Sequence, residues 1–150
     1  MSVLNELIIA ENGEELRDAL QERLDIVEHK IKFIDKVPVC FLDTEGNPDI
    51  SLAPFAMMSG AVLTTQPAEA EYVIFREPEK ALDDLMRTVP GLLDDAWPAV
   101  QYNRVCLLAD DYKLNKAEDA VALVEDLAEM THPGHFIFGY EGDKWIRFTI

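Results

Sequence analysis

The chain has 150 residues, which is enough to bury the core of one domain and too few for two ordinary lobes. Acidic residues dominate its charge, because 29 Asp and Glu stand against 13 Lys and Arg and give a formal net charge of −16. Such a surface repels nucleic-acid phosphates and anionic lipid, so neither is expected as a partner. No apolar run approaches the roughly 20 residues that span a bilayer, so membrane insertion is not expected.

The amino terminus and the cysteines indicate the compartment. The first residues, MSVLNELIIAENG, lack the basic start and the long apolar core of a secretory signal, and Glu6 and Glu11 interrupt them. Cys40 and Cys106 both lie inside apolar runs, which indicates reduced thiols in a core. Together these features predict a cytoplasmic protein.

The first strong periodic pattern predicts a helix over residues 14–31. Asn12 can cap this helix, with Glu15 reaching back as in a capping box. Its apolar residues recur at three- and four-residue steps and form one stripe for packing. They are Leu16, Leu20, Leu24, Val27 and Ile31. We interpret this segment as a helix that leads into the body of the domain.

Three short apolar runs predict buried strands, because they lack the polar alternation of a half-exposed sheet. They cover residues 37–42, 72–75 and 105–109. Residues 50–59 suit a short helix that ends at Gly60, and a further helix is expected to start at Pro78. This alternation predicts a three-layer, Rossmann-like α/β domain with a largely parallel sheet.

A long helix is predicted over about residues 116–130, after the third strand. Its apolar face is expected to lie on the sheet and consists of Ala117, Ala120, Val121, Val124, Leu127 and Ala128. Its acidic residues fall away from that face, which predicts that they are solvated. They are Glu118, Asp119, Glu125, Asp126 and Glu129.

The C-terminal residues 136–150 have the pattern of a β-hairpin, in which two apolar arms flank a Glu-Gly-Asp turn. Alternation in the second arm divides its side chains between two faces. Ile146, Phe148 and Ile150 lie on one face, and Trp145, Arg147 and Thr149 lie on the other. The chain is therefore predicted to be a single domain with a leading helix (14–31), an α/β core (36–135) and a C-terminal hairpin (136–150).

The segment from Trp97 to Phe136 resembles the C-terminal lobe of the helical-backbone ABC-transporter receptors, which bind cobalamin and iron-siderophores. The matching positions are Pro98, Ala99, Val100, Arg104, Val105, Tyr112, Glu125, Leu127, Ala128, His132 and Pro133. The resemblance covers about residues 16–136 and implies one receptor lobe standing alone, which starts inside the helix that bridges two lobes in that family.

Two ligand-facing features of that family are replaced in this chain. Asp43 and Thr44 stand where the family has a Glu-Trp pair, so the stacking aromatic is missing. Residues 114–118 replace an Arg-Pro-Gly-Pro-Arg run. Capture of a siderophore or a corrin for a transporter is therefore not expected.

Candidate ligand-binding residues follow from the rule that open α/β sheets bind ligands at the carboxyl ends of their strands. These residues are Asp43, Thr44, Glu45, Arg76, Asp111 and Tyr112. This rim suits a hydrated cation or a small polar ligand, and it equally suits three solvated loop ends. The histidines lack the spacing of a metal site, and no nucleotide-binding or hydrolase motif occurs. We predict no catalytic residue, no metal and no cofactor.

Two functions from different classes remain open. The first, which we favour, is a non-catalytic binding or assembly module that uses the former interlobe face to pair with itself or with another protein. It predicts a homodimer involving the first helix or the hairpin, unless Trp145 and Phe148 of the hairpin cover that face. The second is a small enzyme, or a domain for a cation or a small polar ligand, that uses the acidic strand-end loops.

Overall fold

The computed structural model describes residues 3–11 and 13–148, so the predicted Asn12 cap and the end of the hairpin at Thr149 and Ile150 lie outside the described residues. The helices are α1 (Val3–Ile9), α2 (Glu14–Ile31), α3 (Ala53–Met58), α4 (Leu82–Thr88), α5 (Pro98–Gln101) and α6 (Ala117–Thr131). The strands are β1 (Val37–Leu42), β2 (Ala61–Leu63), β3 (Tyr72–Phe75), β4 (Val105–Leu108) and β5 (Trp145–Phe148). Short 3-10 turns occupy Pro67–Glu69 and Val89–Leu92.

The five strands form one sheet in the order β2-β1-β3-β4-β5. The first four pair in parallel, and β5 is antiparallel to β4. Every residue of β3 and β4 is buried, as their continuous apolar runs predict for strands covered on both faces. The largely parallel α/β sheet expected from the sequence is therefore confirmed.

Helices cover both faces of the sheet. One core cluster joins the sheet to α1, α2, α3 and α6, and the other joins it to α4 and α5. Ile74 belongs to the first cluster, whereas its neighbours Val73 and Phe75 belong to the second, because successive strand residues point to opposite faces. This arrangement confirms the predicted three layers. None of the described helices is both long and apolar enough to cross a membrane.

Three elements are not predicted by the sequence, and two begin later than expected. α1, α5 and the edge strand β2 are additions, and β2 pairs through three residues that start at Ala61. α3 begins at Ala53 and not at residue 50. α4 begins at Leu82 and not at Pro78, because Pro78 and Glu79 form a turn in which Glu79 has a positive φ. Short elements of this kind carry too few residues for a clear period.

The antiparallel strand at the C terminus is confirmed, but its partner is β4 and not residues 136–140. Trp145 lies opposite Leu108, and residues 136–140 lie outside the named strands. The predicted alternation of the arm holds, since Trp145 is buried in the first cluster while Ile146 and Phe148 pack against the second. Two-stranded hairpins are marginal alone, and joining the sheet buries both faces of the arm. Trp145 therefore belongs to one core and Phe148 packs against the other.

Both cysteines are free thiols in the cores. Cys40 and Cys106 lie on β1 and β4, with β3 between them, and they belong to different clusters. Burial raises the pKa of Cys40 to about 11 and that of Cys106 to about 12. The reactive thiolate form is therefore rare at neutral pH.

We expect neither thiol to react with a labelling reagent such as Ellman's reagent while the protein is folded at pH 7. Both side chains are sealed from solvent and protonated, whereas unfolding exposes them and returns them to an ordinary thiol pKa. Absorbance after addition of the reagent, with and without denaturant, measures this. Fast labelling of Cys40 or Cys106 in native protein would contradict their burial.

Candidate functional site

The carboxyl ends of β1, β3 and β4 meet along one side of the sheet, which we call the strand-end edge. α3 follows β1 on one face and α4 follows β3 on the other, so the chain leaves these neighbouring strands in opposite directions. Such a switch point is where open α/β sheets bind ligands. A cleft of about 690 Å³ opens there. It is lined by Asp43, Pro48, Asp49, Ile50, Ser51, Arg76, Glu77 and Pro78.

Arg76 joins the loops that follow three strands. Its Nη1 lies 3.3 Å from Asp49 Oδ2, and its Nη2 lies 2.7 Å from Asp110 Oδ1. The second oxygen of Asp110 accepts the N–H of Glu79 at 2.8 Å. Desolvation opposes ionisation of Asp49, but hydrogen bonds from Ser51 and the charge of Arg76 outweigh it and lower the pKa of Asp49. Arg76 is therefore engaged by two carboxylates.

Thr44 and Asp43 are engaged within the protein as well. The N–H and the hydroxyl of Thr44 donate to Glu77 Oε2 at 2.8 and 2.9 Å, which ties the loop after β1 to the loop after β3. Asp43 Oδ1 accepts the N–H groups of Glu45 and Asn47, each at 2.9 Å, and so closes the turn between them. Glu45 itself is exposed.

The last two predicted residues, Asp111 and Tyr112, lie in different surroundings. Tyr112 turns away from the edge, because its hydroxyl donates to Asp126 of α6 and its ring packs against the first core cluster. Burial raises the pKa of Tyr112, and the carboxylate of Asp126 adds to that effect. Asp111 is exposed and lines a second cleft of about 480 Å³, beside Lys80 and Asp143.

The structure thus brings Asp43 and Arg76 to one cleft and bonds Thr44 to Glu77 of that cleft. It places Asp111 at the next cleft and directs Tyr112 into the interior. Asp49 is a member of this network that the sequence does not single out as a ligand residue. Its only signal is its place at the expected start of a helix, where its Oδ1 accepts the N–H of Ser51 at 2.9 Å.

The spacing of the histidines does not predict a metal site. Within residues 3–11 and 13–148, no three His, Cys, Asp or Glu side chains are arranged to hold a metal ion. His132 is buried, with its Nε2 lying 3.1 Å from the carbonyl oxygen of Gly60. Burial lowers the pKa of His132, which favours the neutral imidazole that donates to this carbonyl.

Solved structures share this fold. A nickel–histidine complex of Helicobacter pylori CeuE aligns with a TM-score of 0.58 at 14% identity, over 79% of this chain and 45% of CeuE. A second CeuE structure, with Ni(II) bound, aligns with a TM-score of 0.59 at 14% identity, over 80% of this chain and 45% of that one. An ABC-transporter substrate-binding protein from Listeria monocytogenes aligns with a TM-score of 0.62 at 13% identity, over 86% of this chain and 62% of its own.

These neighbours are ABC-transporter substrate-binding proteins. The family resemblance seen in the sequence is thereby confirmed at the level of the fold. The chain spans 45–62% of the length of the structures it matches, which is consistent with a single lobe. In sequence, it matches no protein-family model and no curated protein.

α6 departs in part from its predicted environment, because three of its five acidic side chains are buried and not solvated. Glu125, Asp126 and Glu129 are only 4%, 4% and 8% exposed. Each carboxylate has a partner in a segment that covers the helix. Glu125 pairs with Arg23 of α2, and Asp126 accepts the hydroxyl of Tyr112.

The third carboxylate, Glu129, holds residues 136–140, which we call the strap. It accepts the backbone N–H groups of Phe138, Gly139 and Tyr140, with Oε2 lying 3.0 Å from the nitrogen of Gly139. The rings of residues 136, 138 and 140 stack along the strap. α6 is therefore enclosed by the sheet, α2, the loop carrying Tyr112 and the strap.

Asp126 makes stability depend on pH in a defined direction. Burial raises its pKa to about 6, although the hydrogen bond from Tyr112 opposes the shift. The pKa of an aspartate in an unfolded chain is about 3.9, so the native state binds the proton more tightly than the unfolded state does. The stability that this proton contributes is therefore lost as pH rises from about 4 through about 6. We expect Asp126→Asn to gain about 2 kcal/mol of unfolding free energy relative to wild type between pH 4.5 and pH 8.

Urea unfolding at the two pH values measures this gain. Asp18→Asn is the control, because it removes one negative charge at an exposed position on α2. Its unfolding free energy, relative to wild type, should change far less between the two pH values. If the unfolding free energies of wild type and Asp126→Asn change equally with pH, Asp126 is not desolvated in the native state.

Proposed function

We propose that the chain is a non-catalytic binding and assembly module, built on one receptor-type lobe and no longer working as a transport receptor. One observation carries this proposal: two polar side chains of the strand-end edge, those of Arg76 and Thr44, are already bonded within the protein. Arg76 is bound by Asp49 and Asp110, and Thr44 is bound by Glu77. Catalytic groups need an accessible nucleophile or base, whereas a satisfied, rigid edge suits recognition.

The position of Thr44 supports the loss of receptor function. The resemblance aligns Thr44 with the stacking aromatic of the receptors, and here its hydroxyl is bonded to Glu77 at 2.9 Å. A cytoplasmic location is part of the proposal and is supported by the free thiols Cys40 and Cys106.

Exposed apolar side chains support assembly. Phe33 and Ile137 are 87% and 86% exposed, so almost the whole of each side chain faces solvent. Large exposed apolar surface on a soluble domain commonly marks a protein contact. A homodimer is the simplest such assembly, since twofold dimers are the commonest oligomers.

A second candidate, a small enzyme or a domain for a cation or a small polar ligand, is favoured by the cleft beside Asp111. Acidic side chains surround this cleft, and Lys80 is the one cation among its described lining residues. The carboxylates are Glu79, Asp83, Asp110, Asp111 and Asp143. A divalent cation is the ligand whose charge matches this lining.

The thermal unfolding midpoint separates the two candidates. A ligand or partner that binds only the native state raises the midpoint with its own concentration. For an assembly module we expect the midpoint to rise with protein concentration, and calcium to produce no rise that depends on Asp111. The opposite result would be a thermal midpoint that is independent of protein concentration but rises with calcium in wild type and not in Asp111→Asn. It would overturn the proposed function in favour of the second candidate.

A further inference from the structure

α2 carries an outward-facing stripe in addition to the apolar stripe that packs on α6. Its members lie at steps of three and four residues and therefore share one side of the helix. We call them the outer stripe: Glu15, Ala19, Glu22, Ile26 and Lys30, all exposed. Phe33 follows just beyond the end of the helix at Ile31.

The outer stripe is complementary to itself when reversed about Ile26. Glu22 lies four residues before Ile26 and Lys30 lies four residues after it. Ala19 lies seven residues before Ile26 and Phe33 lies seven after. An antiparallel copy placed on a twofold axis through Ile26 therefore sets Glu22 of each chain against Lys30 of the other, and the small Ala19 against the large Phe33.

The strap continues this surface on one side of α2. Lys30 Nζ donates to the carbonyl oxygen of His135 at 3.0 Å and lies 5.3 Å from the centre of the Phe136 ring. The next residue, Ile137, is exposed, as Ile26 and Phe33 are. Charged Glu22 and Lys30 flank Ile26, which is the usual arrangement of an apolar centre with a polar rim at an interface.

We propose that the outer stripe is a twofold interface through which two copies of this chain pair, with α2 of one antiparallel to α2 of the other. The inference rests on the proposed assembly function and names its surface. A second copy fits better than an oppositely charged protein, because the stripe supplies both the acid and the base of each pair. The two Glu22–Lys30 pairs also offset, at the contact itself, the repulsion between two chains of net charge −16.

Charge exchange tests this pairing by sedimentation velocity. Glu22→Lys and Lys30→Glu each place two like-charge contacts in the homodimer, and we expect each to weaken self-association by about 30-fold or more. An equimolar mixture of the two variants restores both opposite-charge contacts, so it should form a heterodimer at close to wild-type affinity. Recovery in the mixture cannot come from either variant merely unfolding.

Apolar substitutions give a second, independent readout. Ile26→Asp should abolish the dimer, whereas Met86→Asp on α4 should leave it intact, although Met86 is 49% exposed and Ile26 is 45% exposed. A wild-type dimer that tolerates Glu22→Lys, Lys30→Glu and Ile26→Asp, or a mixture that associates no better than its components, would overturn the inference alone. A wild-type chain that stays monomeric would overturn the proposed assembly as well.

Discussion

Gly60→Ala is expected to lower the unfolding free energy by about 3 kcal/mol or more. Gly60 has a φ of +90°, which L side chains rarely adopt. A Cβ there would also lie 2.6 Å from His132 Nε2 and 3.1 Å from Ile31 Cγ2. His132 is buried and bonded to the Gly60 carbonyl, so it cannot retreat without losing that bond, worth about 1 kcal/mol.

Gly46→Ala is the matched control for this change. Gly46 also has a positive φ, of +81°, but nothing lies within 4 Å of a Cβ at that position. It should therefore show only the backbone cost, of about 1–2 kcal/mol. Urea unfolding of both variants measures the difference. Equal losses for Gly46→Ala and Gly60→Ala would show that the contact with His132 is not tight.

Glu129→Ala is expected to cost about 3 kcal/mol and to release the strap. The carboxylate is the shared acceptor for the backbone N–H groups of Phe138, Gly139 and Tyr140, and hydrogen bonds to an ionised acceptor are the stronger kind. Without it, the strap loses its anchor to α6, and Phe136, which is buried, becomes free to leave the core.

Amide hydrogen exchange measures the release of the strap directly. The three amides should be protected in wild type and should exchange at nearly unprotected rates in Glu129→Ala. Glu118→Ala, at an exposed position in the first turn of α6, is the control and should leave their exchange unchanged. Strap amides that stay protected in Glu129→Ala would show that ring stacking alone holds the segment.

The elements that the sequence predicts best are those bounded by strong local signals. α2, β1 and β3 begin and end at the predicted residues, since each is a single uninterrupted pattern between polar or turn-forming residues. The C-terminal strand is also visible in its alternation. Alternation defines the two faces of a strand but not its neighbour, so the pairing of Trp145 with Leu108 required the tertiary structure.

The environment of α6 shows the limit of periodicity. Its apolar stripe lies where the pattern predicts, but the opposite side is covered by segments that the pattern does not reveal. Arg23 is 102 residues away from its partner Glu125 in sequence. A helical period reports which side of a helix prefers the core, and it does not report how many other segments cover that helix.

In the candidate site, the positions of residues can be predicted from the sequence, but their contacts cannot. Because strand ends are predictable, the positions of Asp43, Thr44 and Arg76 at one edge follow from the sequence. Their pairings depend on how far side chains reach between loops. The contacts of Arg76 with Asp49 and Asp110 therefore cannot be predicted from the sequence. Tyr112 also follows a strand, yet its hydroxyl donates to Asp126 and its ring packs against the first core cluster.

We propose that this chain works by self-association and not by closing on a ligand. Multi-angle light scattering of the wild-type protein, across a dilution series from high to low micromolar concentration, measures this association. We expect a molar mass near twice that of the 16.9 kDa chain at the highest concentration, falling to that of one chain on dilution. A molar mass of one chain at every concentration would contradict it.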